Sequence, residues 1–325
     1  MANDAVLKYG ADTIYKQFCF VFDELRKTIH EFNNNLATHL YSGIPHKLHQ
    51  AYQVIYLAFF ELLMKQNKKI QNYKLLAKSL DNIASNCMGE LSSDLKWLAR
   101  HRIQMIKAVS GVIGSQFISR EGMDPTAMSW VENLENILNQ SRTENLCYDF
   151  KIGMHNLVGN GDLNRDILQK IIRTLTAMSN SHTGDSYVII GVADNQKDAL
   201  KHESAYKVKA KKYQSFYVTG VGDEAIKHHK KLDAYQQLLY QLIEQQPLED
   251  TIKRTIQRNV IFIKYYEKDV VLMRISRGKE PIRYDNKIYV RKIANTDPIP
   301  IATSEEFTFF SEFIEQSKRY PYNNA

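Results

Sequence analysis

Ser186-Tyr-Val-Ile-Ile-Gly191-Val-Ala193-Asp194 decides the fold. The run is apolar and rich in β-branched and aromatic residues, so it reads as a buried strand. Working outward, residues 164–180 carry the spacing of a helix and 146–152 read as another strand. On the other side, 197–220 are rich in Lys and Tyr and show no clear element. Residues 227–246 read as a helix ended by Pro247. Two strands follow, 260–266 and 270–276, around Glu267-Lys268-Asp269, then a strand over 288–293 and a last helix over 303–316. Strands and helices mixed in this order predict an α+β (mixed) protein, its second half an α/β domain with a mixed sheet.

Before residue 142 the pattern is all-helical. Phe18, Phe22, Leu25 and Ile29 fall at helical spacing over 14–32. Ser42-Gly43-Ile44-Pro45 breaks the chain. Further helices are expected over 46–66, 73–86 and 91–117, the last weakened by Ser110-Gly-Val-Ile-Gly114. Glu121-Gly-Met-Asp-Pro125 is a stop, and a short helix over 126–141 leads onward. The expected organisation is therefore a helical domain over 1–141, suited to assembly, sensing or partner docking, and a second domain over 142–325 with a C-terminal helix. No internal repeat or low-complexity segment is present.

The chain has 325 residues, 44% of them hydrophobic, and a net charge of +7, so each half is long enough to bury a core of its own. The basic excess and the nineteen Tyr suit a polyanion, although Tyr equally fills half-buried positions. Cys19, Cys87 and Cys147 stand far apart and make no CxxC pair, which argues against a disulfide framework or a zinc finger and fits a reducing cytoplasm. The N-terminus lacks the pattern of a signal peptide, and the most apolar stretch, 54–64, is too short to span a bilayer and contains Glu61. The phosphate-binding G-x-x-x-x-G-K-[ST] pattern is absent, so no nucleotide cofactor is expected.

Four features in order carry a resemblance. Glu144-Asn-Leu-Cys-Tyr-Asp149-Phe-Lys151 is similar to an E-x4-E-x-K opening, with Asp149 in place of the second Glu. Asn180 and Gly184 precede the apolar strand and its Gly191-Val-Ala-Asp194 end, with Asp185 where a second glycine is usual. Val270-Val-Leu-Met-Arg-Ile275 leads to Lys279-Glu-Pro281. Ile288-Tyr-Val-Arg291, Thr296 and Pro300-Ile-Ala302 close the pattern. Together, over 144–302, they resemble the Schlafen AlbA_2 domain, a module associated with nucleic acid. The helical half lies outside the resemblance.

Some Schlafen-like proteins are metal-dependent endoribonucleases acting on tRNA or rRNA. The resemblance then implies catalytic and metal-holding roles for Glu144, Asp149 and Asp194, with Mg²⁺ or Mn²⁺ as cofactor, no zinc, and tRNA-like RNA as partner in a prokaryotic antiphage role. Carboxylate oxygens holding a hard cation suit phosphodiester cleavage. Asp149 and Lys151 are two apart and share a strand face, so Lys151 is expected to touch phosphate. Glu144 and Asp149 are five apart, so a shared ion requires Glu144 to precede the strand. A solvated charge pair for Asp149–Lys151 and a turn cap for Asp194 are the plainer alternatives.

Lys207, Lys209, Lys211, Lys212 and Tyr213 form the expected phosphate contact, the first three on one face if the segment is extended, and Arg291 is the further candidate. A solvated hairpin is an equal alternative. His228-His229 read as the exposed start of a helix, and adjacent histidines diverge too far to share a metal. The competing function is a non-catalytic module that binds nucleic acid or a protein. No membrane partner is expected; a homo-oligomer or protein partner through the helical half is.

Overall fold

The structure is a computed structural model that describes residues 2–33, 35–44, 47–88, 98–120, 128–140, 146–292 and 295–319. The chain forms two compact units, Ala11–Trp130 on the one hand and Met1–Gly10 with Val131–Ala325 on the other. Helix α1 (Ala2–Tyr9) belongs to the latter.

The Ala11–Trp130 unit begins with α2 (Ala11–His30), α3 (Leu36–His39) and α4 (Leu48–Phe60), which runs into a π-helical turn at Glu61–Lys65. Strand β1 (Lys68–Ile70), α5 (Tyr73–Leu80), α6 (Ile83–Met88), α7 (Ala99–Ile113), a 3-10 turn and β2 (Phe117–Ser119) follow. Val21, Leu25, Val54, Phe59, Leu76 and Val109 are buried together. On α2 the buried stripe is Gln17, Val21, Leu25 and Thr28, while Phe18 and Phe22 stack on each other outside it, half exposed. The expected helix over 73–86 is two helices, because Asn82 adopts φ 58° and ends the first. Asn72 caps α5, its Oδ1 accepting from Leu75 N at 3.0 Å. The all-helical expectation missed one small sheet: β1 and β2 pair antiparallel, Lys69 opposite Ile118. Three-residue strands are too short to carry a period.

In the second unit, α8 (Met128–Gln140) leads to β3 (Tyr148–Lys151), α9 (Arg165–Ser181), β4 (Ser186–Ile190), β5 (Val192–Ala193) and α10 (Gln196–Tyr206). Next come β6 (Lys211–Tyr213), β7 (Phe216–Val218), α11 (Gly222–His229), α12 (Leu232–Glu244) and α13 (Asp250–Arg258). The chain closes with β8 (Val260–Tyr265), β9 (Lys268–Ile275), β10 (Arg283–Tyr284), β11 (Lys287–Lys292), β12 (Asn295–Pro300), a 3-10 turn and α14 (Glu306–Arg319). The central sheet has the order β3-β4-β9-β8; β3 and β4 run parallel and the other pairs antiparallel, so the sheet is mixed. Smaller antiparallel sheets have the orders β5-β7-β6 and β10-β11-β12.

Helix α9 starts where Asn164 Oδ1 accepts from Ile167 N at 3.0 Å. It buries Leu168, Ile171, Ile172, Leu175 and Met178 against Val188 and Ile190 of β4 and Val271 and Met273 of β9. Each such side chain removed from water contributes about 1.5–3 kcal/mol. Asn180 on the same helix is buried and ties down β11 and the residue just before β10: Nδ2 donates to the carbonyls of Ile282 and Tyr289, both at 2.9 Å, and Oδ1 accepts from Ile282 N at 2.8 Å.

The stretch read as one strand, 186–193, is two strands in different sheets. Gly191 turns it at φ 100°, and a Cβ there would stand 3.1 Å from Gly220 Cα. The helix expected over 227–246 is also two, divided at Lys230 with φ 68°. Among the described residues no helix is long and apolar enough to cross a membrane.

Candidate nucleic-acid interface

Strand β3 ends at Lys151 and β5 at Ala193; Asp194 and the Asn195 cap then lead into α10. The two strands belong to different sheets, but β3 runs parallel to β4, which turns at Gly191 into β5, so their carboxyl ends border one crevice. It is a cleft of about 370 Å³ lined by Lys151, Gly153, His155, Asp194, Asp198 and Lys201, among others.

Asp149 is buried, its side chain 6% exposed, and its Oδ2 lies 2.6 Å from Lys151 Nζ. Arg291 Nη2 stands 3.9 Å from Asp149 Oδ1, and the Arg291 side chain is wholly buried, with Nη1 donating to Tyr148 O at 3.3 Å. The Asp149–Lys151 pair is thus an internal ion pair, not a solvated one. Arg291, expected to reach nucleic acid, instead supplies charge to Asp149 from inside the domain. Lys151 is the member of this group that lines the cleft.

Asp194 is exposed, and its Oδ1 accepts from Asn195 Nδ2 at 2.8 Å. Asn195 Oδ1 in turn caps α10 by accepting from Asp198 N at 2.9 Å. The hydrogen bond from Lys201, 2.6 Å from Asp198 Oδ1, holds the Asp198 carboxyl below its ordinary range. Asp185 is held by Ser276 Oγ at 2.6 Å and Arg274 at 2.9 Å, which gives it a structural task. Glu144 lies outside the described residues. Among the described residues no group of three or more His, Cys, Asp or Glu is arranged to hold a metal ion. Asp149 already has two cations beside it.

The lysine run takes a different course from the extended one considered above. Lys207 ends α10 in the left-handed region at φ 56°, Lys209 lies between elements, and only Lys211 and Lys212 stand in a strand, β6. A helix end and an edge strand nevertheless bring Lys207, Lys209, Lys211 and Lys212 to the surface, all exposed. Lys211 Nζ sits 4.3 Å from the Tyr266 ring centroid and Lys212 Nζ 5.8 Å from that of Tyr217. Tyr213 is committed within the domain: its hydroxyl accepts from Asn139 Nδ2 at 3.1 Å and its ring meets Tyr265 edge-on.

One polar array went unnoticed in the sequence. Glu224, buried on α11, receives the backbone N–H groups of Met154 and His155, both at 2.8 Å, and His155 Nδ1 at 2.6 Å, all on Oε1. A carboxylate only accepts, so His155 Nδ1 carries the proton and Nε2 faces His229 Nε2 at 3.2 Å. His228 stacks on His155 at 4.3 Å. His228 and His229 therefore end α11, half-buried, where the start of a helix was expected. Their rings, with centroids 6.5 Å apart, both pack on the His155 ring. Burial lowers the pKa of both. Gly153 makes room for this, since a Cβ there would lie 2.1 Å from Glu224 Oε2. Glu224 and His155 are 69 positions apart, and no local pattern joins them.

Residues 144–300 match the family described as Schlafen, AlbA_2, which suggests nucleic-acid binding. No curated protein matches the chain. Among solved structures, the crystal structure of the DIP2311 protein from Corynebacterium diphtheriae is similar at 13% identity and a TM-score of 0.32, over 58% of this chain and 31% of that one. This chain thus spans less than a third of that protein's length. The motif order, the mixed sheet and the family match agree: the second half of this chain, residues 144–300, belongs to the Schlafen AlbA_2 family.

Proposed function

We propose that this domain binds RNA of tRNA-like form, with the phosphate backbone along the lysine-bearing edge and one phosphate reaching Lys151 in the cleft. The observation that supports this most is the shared exposure of Lys207, Lys209, Lys211 and Lys212 beside β6, in the sheet whose strand β5 ends at the cleft. Ammonium groups there release counterions when they neutralise phosphates, so affinity falls steeply with salt. Tyr217, half-buried beneath Lys212, offers an adjacent ring for a base.

Cleavage is the second reading, favoured by Lys151 and Asp194 sharing one cleft with Asp149 directly behind Lys151. In that reading the protein is a divalent-metal-dependent endoribonuclease, Mg²⁺ or Mn²⁺ its cofactor and Glu144, Asp149 and Asp194 its acids, suited to antiphage defence.

Total tRNA and the purified protein test both. Expected are salt-sensitive binding, its loss on replacing the four lysines by Glu, and weakening by Lys151→Met. Binding indifferent to all of these sinks the first reading. Cleavage with Mg²⁺ or Mn²⁺ that disappears in Asp194→Ala supports the second. Binding without cleavage leaves a non-catalytic nucleic-acid module.

A further inference from the structure

The Ala11–Trp130 unit holds a cavity of about 870 Å³ between the end of α4 with its π-turn and helix α7. Its wall is largely apolar, formed by Leu57, Phe60, Ile103 and Ile106 among others; Leu57 and Ile103 are 40% and 53% exposed. Among the described residues that line it, Lys65, Lys68 and Lys107 stand with one acid, Glu61, which Lys65 pairs at 3.3 Å. Three ammonium groups against one carboxylate leave the opening positive.

Three features of this wall are unusual. Gly111 lies in α7, where glycine costs about 1 kcal/mol relative to Ala. A Cβ at Gly111, or at Gly114 just beyond, would meet nothing within 4 Å. The glycines keep the wall open; crowding does not demand them. The Ser110 hydroxyl is buried in the same wall and has no hydrogen-bond partner among the described residues, a state native structures seldom leave unexplained. The π-turn at Glu61–Lys65 is a rare form found frequently at functional sites.

We propose that this cavity binds a small amphipathic organic anion. The apolar body lies along Leu57, Phe60, Ile103 and Ile106. The anionic head meets Lys65, Lys68 and Lys107. An apolar wall with a few convergent polar groups and this volume is the form of a small-molecule site, and the charge of the rim selects the sign of the ligand. The site is independent of the RNA reading, and its test needs no RNA.

The full chain is titrated with 8-anilinonaphthalene-1-sulfonate as the probe, read by fluorescence. Saturable binding at one site is expected, displaced by decanoate at concentrations where decan-1-ol does not compete. Gly111→Leu fills the opened wall and Lys107→Glu reverses one rim charge. Each weakens the probe, the charge change by about fivefold, the upper end for one partly screened contact. Lys287→Glu, an exposed substitution in the other unit, leaves it unchanged. A thermal melt with the parent's midpoint shows that Gly111→Leu is folded; if it is not, Lys107→Glu decides. Non-saturable binding, binding equal in parent and Lys107→Glu, or equal displacement by decan-1-ol overturns the proposal.

Discussion

Lys151 Nζ stands 2.6 Å from Asp149 Oδ2 on the same face of β3, and only Lys151 of the two lines the cleft. The acid is inside and the base leads outward, with Arg291 buried on the acid's far oxygen. Removing Asp149 therefore takes a buried carboxylate away from two cations, one of them wholly buried.

Asp149→Ala is expected to destabilise the domain by about 3–5 kcal/mol, the usual cost of removing one partner of a buried ion pair. Chemical denaturation checks it. A loss below about 1 kcal/mol would mean that water reaches the pair. For that reason Asp149→Ala is a poor sole test of cleavage, and Asp194→Ala, at an exposed position, is the better one.

Asn180→Ala removes three hydrogen bonds and leaves the Ile282 and Tyr289 carbonyls and the Ile282 N–H without their partner. At about 1–3 kcal/mol for each unsatisfied buried group, a loss of roughly 3 kcal/mol or more follows. Hydrogen exchange at Ile282 should accelerate in the variant. Unchanged protection there would show that Asn180 does not bind α9 to these segments.

Gly191→Ala places a Cβ at φ 100°, 3.1 Å from Gly220 Cα. Backbone strain of about 1–3 kcal/mol adds to the clash. The melting midpoint should fall well below that of Gly43→Ala, where a Cβ meets nothing within 4 Å. Equal midpoints would contradict the tight turn between β4 and β5.

Burial lowers the pKa of His202, His228 and His229 in the folded state. The unfolded chain then binds more protons as pH drops below the ordinary histidine value near 6.5, so stability falls with falling pH until the folded groups titrate as well. His202 is 1% exposed, and neither ring nitrogen has a hydrogen-bond partner among the described residues. His202→Phe should therefore lessen the loss between pH 8 and 5.5, measured as the difference in melting midpoint. A parent whose midpoint rises on acidification contradicts the assignment.

What the sequence determined by itself was local and periodic. Apolar runs at strand and helix spacing give β3, α9, β4, β8, β9 and α14, because burial of one face dictates a period that neighbouring residues display. The order of Asn180, Gly191 and Asp194 around such a strand carries part of the resemblance. Turns at positive φ without glycine escaped: Asn82 and Lys230 split helices that the periodicity runs straight through, since the left-handed region is entered for tertiary reasons. Only the folded chain decided that Arg291 is buried beside Asp149, that Lys207 ends a helix, and that Glu224 reaches His155 across 69 residues. Hydrogen bonds and ion pairs between distant segments leave no spacing in the chain, because the residues that make them need only meet in space.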